Sequence, residues 1–454
     1  MIRTVHTLGL VIALAAIAAP AAAQPLGGEQ PLLRQVAADV RPERQRADIT
    51  RMVAFGTRHT LSDAVSNTRG IGAARRWVAS EFAAMARDCG CLTVATPSET
   101  VTGNRVPKPT EVMDILAIQR GITDPTRVIV ISGHLDSRVS DVMNFTADAP
   151  GANDDASGVS AVMEAARVLS KHKFPATLVY AALSGEEQGL LGGKVLADYA
   201  KAQGWKVVAN LNNDIVGNTE GIGGVRDNTH VRVFSEGTRA VETKEEGDRR
   251  RYNGGEVDSP SRNLARYMDG LADRYLTNLD VVMVYRTDRY GRGGDQVRML
   301  EAGYPAVRVT EAVENYIRQH QDLRTEKGVR YGDVIEGVDF TYLAQVTRLN
   351  IVTMAALASA PAPPRGVDVA GQVSPDTTLS WTPSADAAAY RLWWRTTTAP
   401  QWTHSRLAAD PKSGKGVLAG VNIDDHLFGV SAISADGYES PVVFPGPTGR
   451  FGPD

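Results

Sequence analysis

The chain has 454 residues, with 49 basic against 52 acidic side chains and a formal charge of −3. That balance offers no basic face for nucleic acid. Two cysteines cannot build a disulfide framework, so the fold must rest on its core. Past the first residues, no stretch is apolar for long enough to be a transmembrane helix.

Residues 1–23 read as a signal peptide. Arg3 and His6 precede an apolar run over 8–19, and Pro20-Ala21-Ala22-Ala23 supplies small residues before Gln24. A membrane anchor is the alternative, and the short Ala-rich run argues against it. The mature chain is expected to be exported, periplasmic or extracellular. Roughly 430 residues then remain, too many for one compact core. Cys89 and Cys91 flank Gly90, and oxidising conditions would allow a bond between them, although its loop would be very small.

Residues 28–125 form a mixed opening region. Within it, Ala73, Trp77, Phe82 and Met85 give 70–86 the spacing of a helix that covers a sheet. Strand and helix signals then alternate. Buried-strand patterns occupy 127–132, 176–183, 207–211 and 306–309, and helical patterns 157–170 and 190–203. The expected fold class is α/β, a mainly parallel central sheet covered by helices on both faces. Residues 217–262 interrupt the pattern with Gly and charge. They read equally as a surface excursion or as a loop layer shaping access to a site.

The domain expected over 24–357 ends at a Pro/Ala-rich linker, 358–364. Beyond it, 365–454 carry alternating segments at 377–381, 389–396 and 427–434. These resemble a small all-β sandwich of the fibronectin type III-like kind, a module able to attach the protein to a surface or another protein.

Chemistry concentrates in 134–320. His134-Leu135-Asp136, Asn153-Asp154-Asp155, Gly185-Glu186-Glu187, Asp214 and His320 combine imidazoles and carboxylates, the donors that two adjacent Zn²⁺ ions and an activated water require. His134, Glu186 and Asp214 each follow a strand closely, where sites form in parallel sheets. Each also has a plainer explanation. His-x-Asp occurs in polar loops, Asp155 or Ser157 suits a helix N-cap, the Glu pair suits an acidic turn, and Asp214 a cap. Adjacent Glu residues in a turning segment point in different directions, so one can bind metal while the other addresses water. Of the eight His, only His134 and His320 sit within the strand-and-acid framework.

Taken together, HLD, GANDDASG, SGEEQGLLG, Asp214 and the GGDQVRMLEAGYPAVRVTE…ENYIRQHQD stretch resemble the M28 family of zinc metallopeptidases over roughly residues 50–355. The resemblance extends to its bacterial secreted aminopeptidases. It implies two zincs bound by His134, Asp154, Glu187, Asp214 and His320, with Asp154 bridging. It implies Glu186 as general base, Asp136 orienting His134, and a cis peptide between Asp154 and Asp155. The implied reaction removes the amino-terminal residue from a peptide or protein. Carboxypeptidase or dipeptidase activity, a single-zinc glutaminyl cyclase-like member and a silent binding protein are the alternatives. Gly294-Asp295-Gln296 departs from the family's Ser-Asp-His, and Tyr290 is an offset counterpart of an oxyanion-holding Tyr.

Overall fold

A computed structural model describes residues 28–452. The expected signal peptide lies outside the described residues. Among those described, no helix is long and apolar enough to cross a membrane.

An eight-stranded sheet forms the centre. Its order is Leu92–Ala95, Ile115–Gln119, Ala176–Leu183, Asp124–His134, Lys206–Asn213, Ala306–Glu311, His230–Phe234 and Asp280–Val284. The four middle strands run parallel, as does the last pair, and the remaining pairings are antiparallel. Strand alternation divides the side chains between two cores. Ile129, Ile131, Leu178 and Tyr180 enter one, and Val128, Val130, Val179 and Ala181 the other. Both faces being dry explains why these strands read as continuous apolar runs. Each such Val, Ile or Leu contributes about 1.5–3 kcal/mol by burial.

Helices Ala156–Leu169 and Phe340–Ser359 cover one face, and Leu191–Ala202 with Gln296–Glu301 covers the other. Gly70–Cys89 packs over the edge strands, as its spacing predicts, and ends at the bonded pair Cys89–Cys91.

Two expectations need correction. Residues 217–262 are more than a surface excursion or loop layer, because His230–Phe234 is a strand of the central sheet and Lys244–Asn253 a helix. That strand is only five residues long and carries Arg232 at its centre, which breaks its apolar signature. Arg232 pairs with Glu314 at 2.8 Å and donates to the Glu311 carbonyl. The linker also begins two residues late. Good helix formers carry the Phe340–Ser359 helix onward until Ala360, extended ahead of Pro361, stops it.

The C-terminal region forms two three-stranded antiparallel sheets around one core of Leu379, Trp381, Tyr390, Leu392, Phe428 and Val430. They dock against helix Pro260–Tyr275. Buried Asp258 accepts from Arg395 at 2.8 and 2.9 Å and from Arg266 at 2.9 Å, and Trp402 Nε1 donates to Asn263.

Candidate active site

The carboxyl ends of the middle strands bring the acid and His segments together. His134 ends one strand, Glu186 and Glu187 follow the next, and Asp214 follows Lys206–Asn213. Asp154 lies in the turn before helix Ala156–Leu169, and its peptide to Asp155 is cis. Close packing sets this geometry. A Cβ on Gly133 would come within 2.6 Å of the Gly158 backbone, so Gly lets the His134 strand approach the helix start.

Two clusters result, and they share Asp154. Nε2 of His134 is 3.1 Å from Asp154 Oδ1 and 3.8 Å from Asp214 Oδ1. Nε2 of His320 is 2.8 Å from Asp154 Oδ2 and 3.0 Å from Glu187 Oε1. The ligand atoms of each trio lie within 4.8 Å of one another. Donors about 2.0–2.2 Å from a tetrahedral zinc sit roughly 3–4 Å apart, so both trios fit the ion. Glu187 Oε1 is buried and lacks a well-directed donor, as a ligand oxygen would.

Asp155 takes the capping role, accepting from Gly158 N at 3.0 Å. The same carboxylate accepts from His134 N and Ile215 N, at 2.9 and 3.2 Å, and so fastens three ligand-bearing segments. Asp136 works alongside it. His134 Nδ1 lies 3.1 Å from the Asp136 carbonyl oxygen and 3.6 Å from its carboxylate. With Nδ1–H directed there, Nε2 is left free for metal. The Asp136 carboxylate accepts from the backbone N–H of Glu186 and Glu187, each at 3.2 Å, and thereby positions the acid pair as well.

Burial pushes Glu186 well above the usual glutamate range against the pull of His134, and neighbouring Glu187 and Asp214 push the same way. Burial opposes ionisation of Asp154, but His320 and His134 hold it well below the ordinary range. Burial also works against charge on His320, yet Glu187 and Asp154 raise it to about 10. A cation placed among these carboxylates would displace those imidazole protons.

Several supports have no motif in the sequence reading. Arg138 donates to Glu187 Oε2 and lies 2.7 Å from His320 Nδ1. Arg308, buried, pairs with Asp214 Oδ2. Arg58 donates to the carbonyls of Leu135, Pro150 and Gly151, which ties the His134 loop to the Asp154 loop. Asp333 accepts from the N–H of Asn153 and Asp154. Only Arg308 leaves a trace in sequence, as a cation inside the apolar strand Ala306–Glu311. Tyr290 is 88% exposed, with Arg286 over its ring 5.5 Å from the centroid. Gln296 hydrogen-bonds Asn212 and Asp288. His59 and His230 lie outside both clusters. His59 contacts the Val142 carbonyl, and His230 pairs with Asp227.

The profile of peptidase family M28 matches residues 114–326. A probable zinc metalloprotease of Pyrenophora tritici-repentis is 44% identical over 422 residues, covering 91% of this chain and 87% of the relative. One from Leptosphaeria maculans is 45% identical over 406 residues, covering 88% and 94%. These relatives are fungal. Among solved structures, LapB of Legionella pneumophila superposes with a TM-score of 0.53 at 17% identity, covering 73% of this chain and 76% of its own. LapA of the same organism gives 0.53 at 20% identity, covering 74% and 79%. At that identity the likeness concerns the fold, a mostly parallel sheet flanked by helices. The chain belongs to peptidase family M28 and is a zinc metallopeptidase.

Proposed function

We propose that the chain is a di-zinc exopeptidase that removes the amino-terminal residue of peptides, with Glu186 as general base. The observation that carries this reading is the pair of three-donor clusters joined through Asp154. His134, Asp154 and Asp214 would hold one zinc, and Asp154, Glu187 and His320 the other. When bound, the two ions would supply Lewis-acid polarisation of the scissile carbonyl and a water of lowered pKa. Glu186 shares the cavity with Glu187 and both Asp ligands. It takes the proton of the attacking water and delivers it to the leaving amine. Asp136 holds the Glu186 backbone and the His134 ring in register for that transfer. Arg138 and Arg308 neutralise the outer carboxylate oxygens of Glu187 and Asp214, which directs the inner ones at the metals.

Glu186→Gln should retain two zincs per chain by metal analysis while turnover of aminoacyl-nitroanilides falls to background. Retained turnover in that variant would remove Glu186 from the mechanism, and a single zinc in the wild type would favour the cyclase-like reading.

We also propose that the chain acts outside the cytoplasm. The signal-like residues 1–23 support this, as does the bonded pair Cys89–Cys91, which suits an oxidising compartment. Secretion of the full-length chain, cleaved before Gln24, is the test. A cytoplasmic, uncleaved product would refute it.

A further inference from the structure

The cavity over the site has a volume of about 300 Å³ and an unusual wall. Leu190 is the one apolar side chain of any size among its lining residues, and three guanidiniums, Arg105, Arg289 and Arg292, share the wall with it. A pocket built for a leucyl-type side chain would be mainly apolar. Among the acids in the wall, Asp214 comes within 4.0 Å of Arg289, and the others are the remaining proposed zinc ligands and Glu186.

The guanidiniums come from separate segments. Arg105 sits in the turn between strands Ser98–Gly103 and Val106–Met113. It is exposed, and its hydrogen bond goes to the Glu187 main-chain carbonyl at 3.1 Å. Arg289 and Arg292 lie in the loop before helix Gln296–Glu301. Both crowd Glu314, at 3.6 and 3.1 Å, while Arg232 takes the same carboxylate at 2.8 Å. Three cations therefore share Glu314, although Arg289 also donates through Nε to Asp288 at 3.1 Å. Arg289 Nη1 is buried without a hydrogen-bond partner, and Arg292 keeps 35% of its side chain open. A buried donor left unmatched, beside two open guanidiniums on the same cavity, calls for an acceptor from outside.

We propose that this cleft selects short peptides carrying a carboxylate next to the scissile bond, gripped by Arg105 and Arg292 with Arg289 behind them. The proposal rests on the exopeptidase reading and specifies its substrate class. The carboxylate can come from an acidic side chain or from the chain terminus of a dipeptide. A guanidinium grips both through charge-assisted hydrogen bonds.

The test uses the zinc-loaded full-length protein and two matched pairs, Glu-Ala-amide against Gln-Ala-amide and Ala-Ala against Ala-Ala-amide. Support is a kcat/KM at least about tenfold higher for the acid in one pair, lying mostly in KM, and that pair identifies the carboxylate's source. The preference should shrink about tenfold in Arg105→Gln and Arg292→Gln, recover partly in Arg105→Lys, and weaken as salt rises. Equal or lower values for the acids in both pairs overturn the proposal, as does a preference that survives both substitutions. If the wild type cleaves none of the four, the exopeptidase reading fails on its own. Calorimetric binding of the same pairs then decides the cleft: tighter, arginine-dependent binding of the acids upholds it, and equal binding overturns it.

Discussion

The two halves of the proposed di-zinc site are built differently. One half takes His134 and Asp214 from strand ends and Asp154 from the turn before a helix, is buried throughout, and is backed by Asp155 and buried Arg308. The other half takes Glu187 and His320 from loops. His320 is 22% exposed, has a φ of 55°, and leans on Arg138, itself 18% exposed. A non-Gly residue held in that left-handed region costs of order 1–3 kcal/mol, which the surrounding contacts must offset. In the proposed di-zinc site, the sheet would therefore fix one ion and loops would fix the other. Only Asp154 belongs to both.

The largest expected effect breaks the comparison at its shared point. Asp154→Asn should empty both halves, leaving well under one zinc per chain by metal analysis and lowering kcat roughly 10³-fold or more. His320→Ala should discriminate between the halves. Plasma emission analysis after dialysis should find one zinc retained, in the buried half, and loss of both would mean that the halves do not fill independently. Next in size, Arg138→Gln should weaken zinc at the loop half about 10–100-fold by competition with a chromophoric chelator, and Arg308→Gln should act instead on the buried half. Identical losses in the two variants would erase the distinction.

A smaller effect concerns pH. His320 is raised to about 10 by Glu187 and Asp154, so the zinc-free protein carries that proton at pH 7.5. Zinc must displace it. Binding therefore releases a proton, and affinity at the loop half should fall about tenfold for each unit of pH lowered below that value. Zinc titrations by calorimetry in buffers of different ionisation enthalpy measure the release. No proton release would contradict the assignment of His320.

Legibility in the sequence follows the same division. The middle strands could be read because both of their faces are dry, and the ligands at their ends because Gly and acids interrupt apolar runs. His320 stands in a segment without periodicity, so elimination among the eight His and the resemblance both had to support it, and the cis peptide rests on the resemblance alone. The arginines were invisible for another reason. Arg138, Arg58 and Arg105 act through distances of 49 to 92 positions along the chain, to Glu187, Pro150 and the Glu187 carbonyl. No local pattern records such pairings. The strand His230–Phe234 escaped because Arg232 at its centre answers Glu314, a demand of the fold rather than of strand alternation.

Asp258 carries a consequence for any shortened form of this enzyme. Its charge is buried between one guanidinium from the catalytic region and one from the C-terminal sheets. Cutting the chain near residue 362 would remove Arg395 and the Trp402 ring together. The trimmed protein would then expose Asp258 with Arg266 as its remaining guanidinium partner, beside apolar surface on which Tyr438 and Phe451 had packed. A catalytic unit reduced to the minimum of its fold would thus be expected to aggregate through that bared apolar surface, for reasons that have nothing to do with zinc.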